Sequence, residues 1–126
     1  MASEGKKILV VDDDADFVEI EKTILEEAGY SVLAAYSGSE CLEIMQREIP
    51  DLIILDIAMT KEYEGTNVAQ SLRDREETRT IPILVVTSKP LYSIYPDEEW
   101  YPTDDFINKP IDRAVLLEKV EKLIKS

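Results

Sequence analysis

The sequence predicts a doubly wound α/β domain, a five-stranded parallel sheet with helices on both faces. Three observations carry that prediction. Short, β-rich apolar runs alternate with stretches of helical period along the chain. The runs are continuous rather than alternating, as in strands covered on both faces. Helical stretches separate successive runs, which implies right-handed parallel crossovers. With 126 residues, 44% of them hydrophobic, the chain suits one domain with a real core. Residues 1–7 read as a loosely ordered lead-in to that domain.

The first strand is Ile8 to Val11. Phe17, Ile20, Ile24, Leu25 and Ala28 then share one helical face, and Gly29 supplies the stop expected past a helix end. "YSVLAAY" is the second strand. Ser37 stands at an N-cap with Glu40 three positions on, a capping box, and Cys41, Leu42, Met45 and Ile49 continue the apolar face until Pro50. "LIIL", residues 52–55, is the third strand and runs into Asp56. Val68, Ala69 and Leu72 mark a third helix after Gly65, and "IPILVVT" is a fourth strand ending at Thr87. "DDFIN" is a short fifth strand. Asp112 caps a final helix with Leu116, Leu117, Val120, Leu123 and Ile124 on one side.

Composition narrows the function. Fourteen basic against 27 acidic residues give a net charge of −13, so nucleic acid and anionic bilayers are excluded as partners of the average surface. No apolar stretch approaches the ~20 residues of a membrane span, and the expected location is cytoplasmic. A single cysteine, Cys41, cannot form an internal disulfide and reads as a small apolar helix residue. Without histidine, neither a Ser-His-Asp triad nor a histidine-ligated zinc site can be assembled.

In an open α/β sheet the ligand site lies outside the carboxyl ends of the strands. Those ends carry Asp12 and Asp13, Asp56, Thr87 and, just past the fifth strand, Lys109. Three acids in one cleft repel one another unless something neutralises them, and a hard divalent cation does so. Mg2+ fits better than Ca2+, because it accepts a few carboxylates, keeps several waters and is often completed by phosphate oxygens. Thr87 adds a hydroxyl and Lys109 a mobile positive charge, so the set reads as a phosphoryl-transfer site. Asp14 and Asp16 are read apart from it, as helix-cap or turn residues.

Together, "VVDDD" at 10–14, "LIILDIAM" at 52–59, "ILVVTS" at 83–88 and "DDFINKP" at 104–110 resemble the receiver domain of bacterial two-component response regulators, especially stand-alone, chemotaxis-regulator-like members. The resemblance covers nearly the whole chain and implies a flavodoxin-like strand order 2-1-3-4-5. It implies that Asp56 accepts a phosphoryl group from a histidine kinase or a histidine phosphotransfer protein. Asp13 and Asp56 would ligate Mg2+ directly, Asp12 through water and Ala58 through its backbone carbonyl. Thr87 and Lys109 would bind the phosphoryl oxygens, Phe106 would be an aromatic switch, and Lys109-Pro110 would be a cis peptide. The residues themselves leave Phe106 open between switch and ordinary core aromatic.

Two segments depart from the family pattern. Thr60 stands where the family usually has proline, and "TKEYEG" is one residue longer before Gly65. Between Thr87 and Lys109, "SKPLYSIYPDEEWYPT" holds Pro90, Pro96 and Pro102, which makes the family's fourth helix short or irregular. Tyr92, Tyr95, Trp100 and Tyr101 in this segment either cover the sheet or form a docking surface for a downstream protein.

The expected function is thus a Mg2+-dependent phosphoacceptor switch that changes protein binding and is not an enzyme. The alternatives are a pseudo-receiver that docks constitutively and, more remotely, a small phosphatase, for which 126 residues hardly provide a substrate pocket. A calcium loop opening at Asp12 fails, because it needs glycine where Phe17 stands and glutamate where Thr23 stands.

Overall fold

The computed structural model describes residues 5–56, 71–76, 78–88 and 104–125. Five strands, β1 (Lys7–Val11), β2 (Ser31–Ala35), β3 (Leu52–Leu55), β4 (Ile83–Thr87) and β5 (Asp105–Asn108), form one parallel sheet in the order β2-β1-β3-β4-β5. Helices α1 (Ala15–Glu27), α2 (Gly38–Met45) and a C-terminal helix (Arg113–Lys125) pack on it, and residues 71–74 are also helical. The expected strand order is the observed one. The first strand begins one residue earlier than expected: Lys7 pairs with Ser31, whose amide donates to the Lys6 carbonyl at 2.9 Å.

Side chains alternate across a strand, so continuous apolar strands supply two cores. Leu9, Val11, Ile53, Leu55, Ile83 and Val85 face one way, onto Cys41 and Met45 of α2 and onto Leu72. Ile8, Val10, Leu52, Ile54, Leu84 and Val86 face the other way, onto Val18 and Leu25 of α1 and Leu116 and Val120 of the C-terminal helix. Burying each such aliphatic side chain contributes roughly 1.5–3 kcal/mol.

The helix ends follow the local chemistry. Asp14 caps α1, its carboxylate accepting from the Asp16 and Phe17 amides. Gly29, at φ 100°, closes α1 in a left-handed turn in which its own amide donates to the Glu26 carbonyl and the Tyr30 amide donates to the Leu25 carbonyl. That pair of bonds is the Schellman arrangement, and Tyr30 and Leu25 lie in the same core cluster. The Ser37 hydroxyl accepts from the Glu40 amide at the start of α2. The Asp112 carboxylate accepts from the Val115 amide at the start of the last helix.

Two predicted core positions are outside. Ile20 is 54% exposed while its neighbour Glu21 is buried. At about 100° per residue, Ile20 stands roughly 200° around the helix from Val18 and Glu21 only about 60°. The face on the sheet is therefore centred on Val18, Glu21 and the expected Leu25, with Phe17, Ile24 and Ala28 partly buried at its edge and Ile20 outside it. Ile49 is 48% exposed because α2 stops at Met45, where the Gln46 and Arg47 amides turn back onto Glu43 and Ile44. The chain thus leaves the helix before Pro50, in keeping with proline's bias against a helical residue before it. Expectations for Ala58, Thr60, Gly65, Val68, Ala69, Tyr92, Tyr95, Trp100 and Tyr101, and for the irregular fourth helix, fall outside the described residues.

Candidate functional site

β1 and β3 are hydrogen-bonded neighbours in register, Val11 opposite Leu55, so the residues that follow them emerge side by side. The Asp56 amide donates to the Val11 carbonyl at 2.9 Å, and the Asp12 amide donates to Ala35 at 3.1 Å. These bonds continue the ladders one residue beyond the strands and fix where the carboxylates start. Asp12 and Asp56 are buried and Asp13 is partly exposed. One carboxylate oxygen from each of the three lies within 4.8 Å of the others.

Lys109 reaches into this cluster from beyond β5. Its amide donates to the Thr87 carbonyl at 2.9 Å. Its Nζ donates to Asp12 Oδ2 and to Asp56 Oδ2, both at 3.1 Å, and lies 4.1 Å from the centre of the Phe17 ring. The Lys109–Pro110 peptide is cis. Thr87, fully buried, ends β4 beside them.

The electrostatics are those of a crowded acidic cleft. Burial pushes the Asp12 carboxyl up to about 6; the Asp14 amide at 3.0 Å pulls it down, the Asp56 charge pushes it up further, and Lys109 opposes both rises. Burial alone would lower the Lys109 ammonium, but its bonds to Asp12 and Asp56 and their charges hold it above the usual lysine value. Three carboxylates and one ammonium leave an excess of negative charge, the condition that favours a divalent cation. Two oxygens on one octahedral Mg2+ stand roughly 3 to 4 Å apart, so the spacing of Asp12, Asp13 and Asp56 suits a shared ion with small adjustments.

Phe106 lies elsewhere. It sits in β5 opposite Val85, with its side chain outward, 43% exposed, and its ring 5.7 Å from Lys119 Nζ. Lys119 also donates to the Asp105 carboxylate at 2.9 Å and the Phe106 carbonyl at 3.0 Å, which ties the C-terminal helix to this edge strand. The ordinary-core alternative for Phe106 does not hold, since Ile107 is the inward residue of β5. Ala58 lies outside the described residues.

Sequence reasoning missed two members of the site's surroundings. By sequence Phe17 is an apolar helix residue, but its ring lies against the Lys109 ammonium. Glu21 gave no signal, because a glutamate inside an amphipathic helix ordinarily faces water. Here it is buried, burial pushes its carboxyl up to about 8 with help from the Asp12 charge, and its Oε2 has no hydrogen-bond partner.

Known proteins match this arrangement over almost the whole chain. The response regulator receiver domain family model matches residues 8–121. The polar-differentiation response regulator DivK of Brucella ovis is 30% identical over 122 residues, covering 94% of this chain and 96% of DivK. The alkaline phosphatase synthesis transcriptional regulatory protein PhoP of Bacillus subtilis is 34% identical and covers 96% of this chain and 49% of its own length. The chain thus spans about half the length of PhoP. Among solved structures, the response regulator TrrA of Thermotoga maritima, in complex with Mg2+–BeF, is 34% identical with a TM-score of 0.81, covering 94% of this chain and 98% of that one. A CheY-like receiver domain protein from Methanospirillum hungatei is 28% identical with a TM-score of 0.81, covering 95% and 94%. Fold, strand-end chemistry and relatives converge, and the chain belongs to the response regulator receiver family of two-component signalling.

Proposed function

We propose that this domain is a Mg2+-dependent phosphoacceptor switch that takes its phosphoryl group on Asp56 from the phosphohistidine of a sensor kinase or phosphotransfer protein. The observation that supports it most is the clustering of Asp12, Asp13 and Asp56, with the Lys109 ammonium bonded to Asp12 and Asp56. A carboxylate oxygen of Asp56 attacks phosphorus, and the electron pair of the donor's P–N bond leaves with the imidazole. Bound Mg2+ supplies Lewis-acid neutralisation of the phosphoryl charge. Asp13 and Asp56 would hold that cation directly and Asp12 through water, with the Ala58 carbonyl as a further ligand.

Lys109 would pair with a phosphoryl oxygen once it leaves Oδ2 of Asp56, and the buried Thr87 hydroxyl would be the neutral donor at the neighbouring strand end. Reorganisation around Thr87 and Lys109 passes to β5, because Lys109 follows that strand and its amide is bonded to Thr87. Phe106, exposed on β5, is the residue we expect to move. The charge change at Asp56 thereby alters the surface offered to a partner protein.

The test records amide NMR spectra with Mg2+ and beryllofluoride, with Asp56→Asn as control. The expected result is a Mg2+-dependent shift that spreads from Asp56 to Thr87 and Phe106 and is absent in the control. A native protein whose Thr87 and Phe106 signals stay fixed would instead be a constitutive docking module.

A further inference from the structure

Among the described residues, Glu21 Oε2 is the one buried side-chain oxygen or nitrogen without a hydrogen-bond partner. Its residue is 1% exposed, in the middle of α1. A buried polar group of this kind costs stability, and an apolar side chain of equal volume would avoid that cost. Its place on the helix indicates what it is for.

Glu21 stands four residues after Phe17, so the two share one face of α1, one turn apart. Helical side chains lean toward the helix N-terminus, which carries the Glu21 carboxyl toward the Phe17 turn. That is where Lys109 lies, its Nζ 4.1 Å from the Phe17 ring centre. The charges of Asp12, Lys109 and Asp56 all act on Glu21, which sets it beside the same cluster.

Lys109 must change partners when the site is used. Its two acceptors, Asp12 Oδ2 and Asp56 Oδ2, belong to the carboxylates that would hold a divalent cation. A cation there repels the ammonium. With 19% of its side chain exposed, Lys109 cannot simply swing into bulk water at no cost. A buried acceptor with a spare oxygen on the wall it already touches solves the problem.

We propose that Glu21 is a positioning residue, the reserve acceptor that takes the Lys109 ammonium when a divalent cation occupies Asp12, Asp13 and Asp56, keeping it at the site for the phosphoryl group. This rests on the metal-binding reading of the acidic cluster. Glu21 acts through Lys109 and touches neither cation nor phosphoryl group.

The experiment titrates Mg2+ into the native chain, Glu21→Met, Glu21→Gln and Lys109→Met, and the double variant Glu21→Met with Lys109→Met, following amide shifts and the Lys109 Nζ and Glu21 carboxyl carbon signals. Glu21→Met should weaken Mg2+ binding roughly fivefold, the worth of about one net hydrogen bond. Glu21→Gln, which keeps a carbonyl acceptor, should stay within about twofold of native. In the Lys109→Met background the Glu21→Met effect should vanish, because there is no ammonium left to rehouse.

In the native chain, Mg2+ should shift both the Lys109 Nζ and the Glu21 carboxyl signals, a readout that holds even if Glu21→Met fails to fold. Native-like Mg2+ affinity in Glu21→Met, an equal loss in the Lys109→Met background, or an unmoved Glu21 carboxyl would each overturn the inference while leaving the metal site standing. No Asp56-dependent Mg2+ binding by the native chain would overturn both.

Discussion

Lys109 Nζ stands 3.1 Å from Oδ2 of Asp12 and 3.1 Å from Oδ2 of Asp56, bridging carboxylates 44 residues apart in the chain. In this structure a lysine thus occupies the oxygens that a cation would take. The consequence is a competition between two positive charges for one pair of acids.

Lys109→Met should therefore destabilise the metal-free domain and tighten Mg2+ binding. Breaking a buried ion pair costs 3–5 kcal/mol in general; with Lys109 part-exposed, about 1–3 kcal/mol is expected here. Urea unfolding in EDTA should show that loss, and saturating Mg2+ should recover most of it. Equal losses with and without Mg2+ would mean that Lys109 and the cation do not share their acceptors.

Asp13→Asn should behave differently. Asp13 is the partly exposed member of the three acids. Its loss should lower Mg2+ affinity about tenfold or more while shifting the metal-free urea midpoint little. Isothermal titration calorimetry beside urea unfolding separates the two effects.

Stability without divalent cation should fall as pH rises from about 4.5 to about 8. Glu21 titrates near the ordinary glutamate value in the unfolded chain but only at about 8 in the folded one. Between those values the folded state holds a proton that the unfolded state has released, so each step up in pH favours unfolding. Asp12, raised to about 6, adds to the lower part of that slope. Melting temperatures of native and Glu21→Gln chains across pH 5 to 8 test this: the variant's curve should be flatter and higher at pH 8.

Gly29→Ala should cost about 1–2 kcal/mol, because φ 100° is a left-handed conformation that a Cβ disfavours. Mg2+ affinity should not change, since the helix end lies at the opposite end of α1 from the acidic cluster. A urea midpoint shift without a calorimetric change is the expected pair of results.

The fold was legible because a sheet covered on both faces leaves its mark in continuous aliphatic runs. Leu9 and Val11 serve one core while Ile8 and Val10 serve the other, and no polar residue interrupts either set. The caps at Asp14, Ser37 and Gly29 were legible for a related reason, since backbone groups at a helix end are satisfied by near neighbours in sequence. Asp12, Asp13, Asp56, Thr87 and Lys109 could be nominated from their positions at strand ends. The roles expected of them come from the family resemblance.

What the sequence determined by itself was therefore the local pattern: which runs are strands, where helices begin and end, and which strand ends carry reactive groups. Only the tertiary structure decided how α1 is rotated on the sheet. Phe17, Ile20, Ile24, Leu25 and Ala28 define a plausible apolar stripe, and Leu25 is buried with Phe17, Ile24 and Ala28 partly buried against the same core, but packing turned the helix so that Val18 and Glu21 go inward and Ile20 goes to solvent. Helical period fixes the spacing of a face and not its direction, which depends on contacts with residues far away in the chain. The same distance in sequence hid the meeting of Phe17 with Lys109 and the burial of Glu21 within reach of the cluster's charges, so the surroundings of the ammonium became visible only in the folded protein.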